Sequence, residues 1–195
     1  MLDDKTRARV EQERLNCLSA EHLHIATLRK LKNKILVVDA LALSVPIVYF
    51  PFRLLFKDTT YARGIEATWE ILAACLIAAT VVKFLAGWQE RFQKHGRLLG
   101  ENIALKRQAI DLLNDDRASS ESAQSFLALA AKSEAADRES LLKPKETEQQ
   151  YAYREALKEW GGVSVVCPIC KASPWRFMKG SCQACGNNPE TAGVK

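Results

Sequence analysis

The sequence predicts a mainly α-helical protein from three observations. Two apolar stretches lie within residues 35–88, apolar residues recur at helical spacing on either side of them, and two Cys-x-x-Cys pairs lie near the C-terminus. Together they predict a two-helix transmembrane hairpin with long cytosolic helices and a small C-terminal zinc-ribbon-like knuckle. The predicted parts are an N-terminal cytosolic helix (1–34), a two-transmembrane hairpin (35–88), cytosolic helices (89–160), a cysteine module (163–187) and a tail (188–195).

The first part, residues 4–34, contains neither Gly nor Pro and carries one narrow apolar stripe at helical spacing. The stripe consists of Leu15, Leu18, His22, Ile25, Leu28 and Leu31. Two of the three histidines, His22 and His24, are two residues apart and therefore do not share a helix face as metal ligands. We interpret both as ordinary surface or stripe histidines.

The hairpin prediction rests on two apolar segments. Ile35–Phe52 holds a single charged residue, and as a helix it would be about 27 Å long, close to the thickness of a bilayer's hydrocarbon core. Ala67–Trp88 has an uncharged centre of only twelve residues, with Trp69 and Trp88 near its ends, where interfacial aromatic residues belong. The short centre and Glu70 favour an alternative, a soluble helical hairpin with an apolar core.

Lys and Arg residues set the predicted orientation, because cytoplasmic loops are enriched in them. Four precede the first segment, four accompany the end of the second, and three lie between. They are Arg29, Lys30, Lys32 and Lys34, then Lys83, Arg91, Lys94 and Arg97, and between them Arg53, Lys57 and Arg63. We therefore expect both termini in the cytosol and a short outer loop at residues 57–66, which also contains Asp58.

Asp39 is the charged residue of the first segment, and a carboxylate within a span is costly. One interpretation makes it a pore-lining or proton-sensitive group in an oligomer. The other places it one turn deep, where it reaches the headgroups or pairs with Lys34 or Lys83. Pro46 is expected to bend the helix, and Pro51 to mark the end of the span.

After the second segment the pattern predicts further helices. Two apolar rows run along residues 88–113, which favours packing on both sides, against the chain's own N-terminal helix or between subunits. The rows are Trp88, Phe92, Leu99, Ile103, Ile110 and Leu113, and Leu98, Leu105 and Leu112. Asn114–Asp116 interrupts the pattern. Helices are then predicted at Ser119–Ser140, ended by Lys143-Pro144, and at Thr147–Trp160, ended by Gly161-Gly162.

The cysteine pairs, Cys167-x-x-Cys170 and Cys182-x-x-Cys185, are separated by eleven residues. Two such turns that face each other complete a four-sulfur shell, the ligand set of a structural Zn²⁺ ion. Disulfides would need an oxidising compartment, and a thioredoxin-like pair would need a βαβ unit, which the surrounding sequence does not predict. We expect Gly186 in a tight turn, a short strand at Val163–Val166 and a returning strand near residues 175–178.

The sequence does not predict an enzyme. The module has no His, and its only acidic residue is Glu190, so an open catalytic zinc site is not expected. Residues 1–195 contain no Gly-rich phosphate loop, nucleophile elbow or His-Glu-x-x-His motif.

The two apolar segments, the cytosolic helix and the terminal CPIC-x11-CQAC motif resemble the SLATT group of two-transmembrane effectors, in particular the mobilome CxxCx(11)CxxC subset. The resemblance implies a bacterial defence or conflict system, often on mobile elements. It implies an antiviral, pore-forming or membrane-disrupting homo-oligomer in the bacterial inner membrane. It also implies a trigger, either a sensor protein or a cyclic nucleotide. Only the four cysteines transfer residue by residue.

An alternative function comes from the residues between the cysteine pairs. Trp175, Arg176 and Lys179 belong to an aromatic and basic cluster, which predicts a membrane-tethered zinc-ribbon adaptor that binds a partner without pore activity. The competing interpretation is that the aromatic residues form the core of the module and the basic residues offset thiolate charge. The mild net charge of +5 is weak support for nucleic acid, which we do not expect as a partner.

Overall fold

Five α-helices follow one another in the computed structural model, which describes residues 2–56, 62–141 and 144–189. They are α1 (Asp4–Phe56), α2 (Ala62–Leu85), α3 (Trp88–Asn114), α4 (Ser120–Ser140) and α5 (Glu146–Gly161), followed by a 3-10 turn at Gly162–Ser164. The first half of the predicted outer loop, with Lys57 and Asp58, lies outside the described residues, as do Lys143 and Glu190.

Helix α1 joins two segments that the sequence analysis treated separately, the polar stretch and the first apolar stretch. Both Pro46 and Pro51 lie inside it, and the helix continues past Pro51 to Phe56. Each proline removes one backbone hydrogen bond, yet the helical bonds on either side maintain the helix. Pro51 therefore does not end the helix.

The chain divides into two compact units, Met1–Thr27 with Lys94–Lys195, and Leu28–Gln93. The first unit has two apolar clusters on different faces of α1. In one, Val10 and Cys17 pack against residues of α3 and α4, among them Leu105 and Phe126. These contacts confirm that α3 packs against the chain's own N-terminal helix. The packing removes the apolar face of α3 from water.

The buried face of α3 differs from the predicted stripes. Leu98, Leu105 and Leu113 are buried as predicted, but the buried row is completed by His95, Asn102 and Ala109. The prediction considered only apolar residues, whereas α3 buries polar side chains that have hydrogen-bond partners.

Helices α4 and α5 begin and end close to the predicted residues. Ser119 caps α4 by accepting a hydrogen bond from the Ser122 backbone N–H at 3.1 Å, and Ser122 returns the bond in a capping box. Gly162 ends α5 with φ of 65°, a conformation that favours glycine.

The second unit contains the apolar part of α1 and the whole of α2, which belong to the two candidate membrane helices. Asp4–Leu55 and Glu66–Leu85 each include an 18-residue window long and apolar enough to cross a membrane, and neither window is buried within the protein. Large apolar side chains such as Leu43, Ile47 and Phe84 are mostly exposed. A soluble helical hairpin would cover these side chains, so their exposure weakly indicates a membrane protein.

The predicted strands of the cysteine module are wrong. Val163 and Ser164 belong to the 3-10 turn, and no strand occurs in the described residues of the module. One isolated antiparallel bridge joins Lys179 to Asn187. The three valines of Val163–Val166 predicted a strand, but Val163 is exposed in the turn and the described residues contain no strand with which this segment could pair.

We expect Phe126→Ala to lower the free energy of unfolding by about 3–5 kcal/mol, because Phe126 is completely buried and its removal leaves a cavity. The measurement is denaturant or thermal unfolding of the detergent-solubilised chain. Leu129→Ala, on the same helix but half exposed, is the matched control and should change stability by roughly 0.5 kcal/mol or less. Equal effects of both substitutions would contradict the assigned core.

Candidate metal centre

The two Cys-x-x-Cys turns have the same backbone hydrogen-bond pattern. In the first turn, the Lys171 N–H donates to the Cys167 carbonyl at 2.9 Å, and the Cys167 N–H donates to the carbonyl of Ala172 at 2.9 Å. In the second, Gly186 donates to the Cys182 carbonyl at 2.7 Å, and the Cys182 N–H donates to Asn187 at 3.2 Å. The sequence therefore builds the same knuckle twice.

The residue after each pair has a positive φ, 59° at Lys171 and 68° at Gly186. The prediction of a tight turn at Gly186 is confirmed. The same conformation at Lys171 was not predicted, because a non-glycine residue gives no sequence signal for it.

The four thiols of these turns, here called the cysteine cluster, lie close together. The sulfurs of Cys167, Cys170, Cys182 and Cys185 are all within 4.8 Å of one another, and all but Cys170 are buried. A tetrahedral ion bound at about 2.3 Å from each sulfur separates neighbouring sulfurs by roughly 3.8 Å. The cluster therefore fits one metal ion with four thiolate ligands.

Disulfide formation does not describe this cluster. All four cysteines are free, and the Cys170 and Cys185 sulfurs are 3.5 Å apart, well beyond a covalent S–S bond of about 2.05 Å. Four sulfurs that converge on one point also leave no open position for a substrate, which is typical of a structural site.

The surroundings shift the pKa of the thiols in opposite directions. Burial acts to raise the pKa of Cys182. The backbone N–H groups of Cys185 and Ala184 donate hydrogen bonds to its sulfur and, together with the neighbouring thiols, lower this pKa to about 7. Burial raises the pKa of Cys185 and of Cys170. Burial and then the charges of the cysteine cluster raise the pKa of the nearby Tyr153 to about 12. A bound cation would offset this accumulated negative charge.

Two side chains outside the Cys-x-x-Cys motifs fix the turns. Asn187 is fully buried and satisfies its whole amide group: it accepts from the Met178 N–H at 2.7 Å and donates to the carbonyls of Ser173 and Arg176. Arg154 of α5 donates to the Cys185 carbonyl. The only sequence signal for Asn187 is its position two residues after the last cysteine, and Arg154 gives none.

The cysteine cluster is part of the second apolar cluster of the first unit. Cys167, Cys182 and Cys185 pack together with Leu15 and Leu18 of α1, and with α5. The knuckles are thus fixed to the N-terminal helix through buried side chains.

The predicted partner-binding residues lie at the surface of the module. The Trp175 indole N–H donates to the Gly162 carbonyl at 2.9 Å, and its half-exposed ring faces the Lys158 ammonium, 5.4 Å from the ring centre. Arg176 and Lys179 are exposed. These aromatic and basic side chains are accessible, so partner binding at Trp175, Arg176 and Lys179 stays a prediction.

Asp39 accepts a hydrogen bond from the Lys83 ammonium, within an ion pair between α1 and α2. Lys83 is one of the two partners expected from the sequence, and the Lys34 ammonium instead lies 5.5 Å from the centre of the Trp88 ring. The pairing lowers the cost of both charges in an apolar environment. A pore-lining role for Asp39 stays a prediction.

A buried polar network was missed by the sequence analysis. The His24 Nδ1 lies 2.9 Å from the His95 Nδ1, and its Nε2 lies 2.8 Å from Asp137, which also accepts from the Asn102 amide at 3.0 Å. His24 is completely buried, so it is neither a surface histidine nor part of the apolar stripe. The network joins α1, α3 and α4, and only its long-range partners distinguish His24 from the partly exposed His22.

Comparison with known proteins gives one match. The family model described as "Mobilome CxxCx(11)CxxC protein" matches residues 7–188, which covers the cysteine cluster, α2 and all of α1 except its first three residues. No curated protein and no solved structure matches the chain.

We expect the double substitution Cys167→Ser and Cys182→Ser to abolish metal binding and unfold the module, because each knuckle then keeps a single thiolate. Metal content per chain, measured by elemental analysis of the purified protein, should fall from about one equivalent to near zero. Cys17→Ser with Cys75→Ser, two cysteines outside the cluster, is the matched control and should keep its metal. A full equivalent in the first variant would show that the site is misassigned.

Proposed function

The chain belongs to the mobilome CxxCx(11)CxxC protein family, and from that premise we propose that it is a bacterial membrane effector of a defence or conflict system. In this proposal it oligomerises in the inner membrane and permeabilises it. The observation that carries the proposal is a pair of long helices, each with an apolar segment that is long enough to cross a membrane and is not buried within the protein. Such side chains need lipid or a second subunit around them.

The proposed topology places α1 and α2 as a transmembrane hairpin with both termini in the cytosol. The Lys and Arg residues that flank the spans support this orientation. In lipid, the Asp39–Lys83 pair would fix α1 to α2 at one depth, and a polar pair of this kind would line a path for ions between subunits.

The cysteine cluster has a structural role in this proposal, with Zn²⁺ as the ion. Four thiolates in a tetrahedral arrangement favour zinc over Mg²⁺ or Ca²⁺, which prefer oxygen ligands. The proposal includes no catalytic step. It includes a trigger, either an upstream sensor protein or a cyclic-nucleotide signal, and places the protein in antiviral defence as a SLATT-type effector.

The proposal predicts that production of the protein together with its triggering partner depolarises the membrane of growing bacteria, as reported by a potential-sensitive dye. Asp39→Ala should reduce the depolarisation to near background, because Lys83 then lies in the apolar layer without its counter-charge. The charge-swapped double variant Asp39→Lys with Lys83→Asp should restore much of the effect, and Ser44→Ala on the same helix is the matched control.

Each strain must contain the same amount of protein in the membrane fraction after a carbonate wash, so that loss of insertion is not mistaken for loss of activity. Cells that keep their full potential with abundant, inserted, triggered wild-type protein would rule out the effector. A protein released by the wash would rule out the membrane location itself.

The second candidate is a membrane-tethered adaptor, in which the cysteine module binds a partner and the helices only anchor it. It is favoured by the half-exposed aromatic side chains of the module, Trp175 and Phe177, next to which the apolar Met178 is also half exposed. The Arg154 guanidinium covers one face of Phe177 at 3.8 Å from the ring centre, so the surface combines aromatic and cationic groups.

The adaptor predicts that Arg176→Ala with Lys179→Ala abolishes partner capture while metal content and membrane insertion stay unchanged. Proteins retained by the tagged chain from bacterial membranes would be compared by mass spectrometry. Arg107→Ala with Lys132→Ala removes two exposed basic side chains outside the module and serves as the matched control. A partner retained equally by all three proteins would remove the case for this surface.

A further inference from the structure

A cavity of about 360 Å³ lies within the first unit, and we call it the inter-helix cavity. Four helices and the second cysteine turn line it: Ser19 comes from α1, Asn102 from α3, Asp137 from α4, Tyr153 from α5 and Gln183 from the turn. The volume lies within the roughly 300–1,000 Å³ that is common for small-molecule sites. At about 30 Å³ per water molecule it corresponds to roughly twelve waters.

The charged groups that line the cavity are predominantly acidic. Glu13, Glu134 and Asp137 contribute carboxylates, and Arg138 is the one basic residue among the described lining residues. The Arg138 guanidinium pairs with Glu134 at 2.6 Å, so it offsets that carboxylate. Asp137 lies 2.8 Å from the His24 Nε2 and accepts from Asn102, and Glu13 accepts from Asn16, so neither carboxylate has a Lys or Arg partner in the described part of the chain.

The same carboxylates also act on Cys17, which lines the cavity. Burial, followed by the carboxylates of Glu13, Asp137 and Glu21, raises the pKa of the Cys17 thiol to about 12. The charges of Glu13 and Asp137 thus act on a side chain in the cavity wall and disfavour a further anion there.

The wall also offers apolar surface and unused hydrogen-bonding groups. Cys17, Ala20 and Leu23 form an apolar strip from α1. Within the described residues, neither the partly buried Tyr153 hydroxyl nor the exposed Gln183 amide has a hydrogen-bond partner in the protein. A ligand with a carbon body and polar ends would use both kinds of surface.

We infer that the inter-helix cavity binds a small organic cation, an aliphatic amine whose ammonium groups meet Glu13 and Asp137. An ammonium group donates charge-assisted hydrogen bonds to carboxylates, and its methylene chain covers the apolar strip. A nucleotide or other phosphate anion would face two carboxylates without a Lys or Arg partner, which act against it in a partly enclosed site. A small metal ion would leave the apolar strip unused.

Occupancy of this cavity would stabilise the first unit, since the ligand contacts four helices and the second cysteine turn at once. The inference does not depend on the proposed function, because binding is measured on the purified chain without reference to membrane activity.

The experiment measures spermidine binding to the full, metal-loaded chain in detergent by calorimetry, with cyclic AMP and Mg²⁺ as comparison probes. We expect saturable binding of one spermidine per chain, and none of cyclic AMP. Glu13→Gln should weaken spermidine binding about tenfold, the usual effect of removing one charge-assisted bond. It keeps the oxygen that accepts from Asn16 at 3.2 Å. Glu121→Gln, an exposed carboxylate outside the cavity, is the matched control.

Ala20→Leu provides a second variant, which fills part of the cavity and leaves every charge in place. It should weaken spermidine binding as well, whereas binding to surface charge alone would not change. The inference is overturned by absence of saturable binding to the wild type, by equal binding of Glu13→Gln and the control, by binding unaffected by Ala20→Leu, or by full competition from Mg²⁺. Binding of cyclic AMP in place of spermidine would show that the cavity prefers an anion, which contradicts the inference.

Discussion

The cysteine cluster takes the place of a hydrophobic core in the C-terminal module. Residues 162–189 form no strand in the described structure, and their large apolar side chains, such as Ile169 and Trp175, are mostly at the surface. Besides Val165, the buried groups are small residues, Asn187 and the thiols of Cys167, Cys182 and Cys185. A segment of this size does not bury enough apolar surface to fold alone, and a metal ion bound by the four thiolates would supply the missing free energy. Because the same thiols pack against Leu15 and Leu18, the position of the module on α1 depends on them too.

The other face of α1 is buried by apolar packing and by a hydrogen-bonded polar network, without the cysteine cluster. Phe126 and its apolar neighbours fill the space between α1, α3 and α4, while His24, Asn102 and Asp137 form a polar network between the same helices. Apolar packing tolerates sliding of one helix along another, whereas directional hydrogen bonds do not. The network therefore fixes the register of three helices that the apolar cluster holds together. Removal of a single member would leave its buried partners unsatisfied.

Features of this structure that depend on neighbouring residues could be predicted from the sequence, whereas contacts between distant residues could not. Ser119 and Gly162 were predictable because capping and positive φ are decided within a few residues. The cysteine cluster was predictable because its spacing encodes the geometry of one ion. The network of His24 was not, because its partners are 71 and 113 residues away. The strands predicted for the module failed since β-propensity depends on a pairing partner, and Val163 has none.

The Asp39–Lys83 ion pair of the second unit bears on how such a chain could enter lipid. A lone carboxylate at mid-depth costs roughly 2.5–3.5 kcal/mol on insertion scales, and a lone ammonium costs a similar amount. Asp39 and Lys83 neutralise each other across α1 and α2, so neither of these two charges would enter lipid uncompensated once they are paired. This favours insertion of the two segments as a pair, and it explains how a twelve-residue uncharged centre in the second segment is compatible with a membrane. In the proposed membrane location, the unburied apolar side chains around the pair would face lipid or neighbouring subunits, two environments in which their exposure to water is avoided.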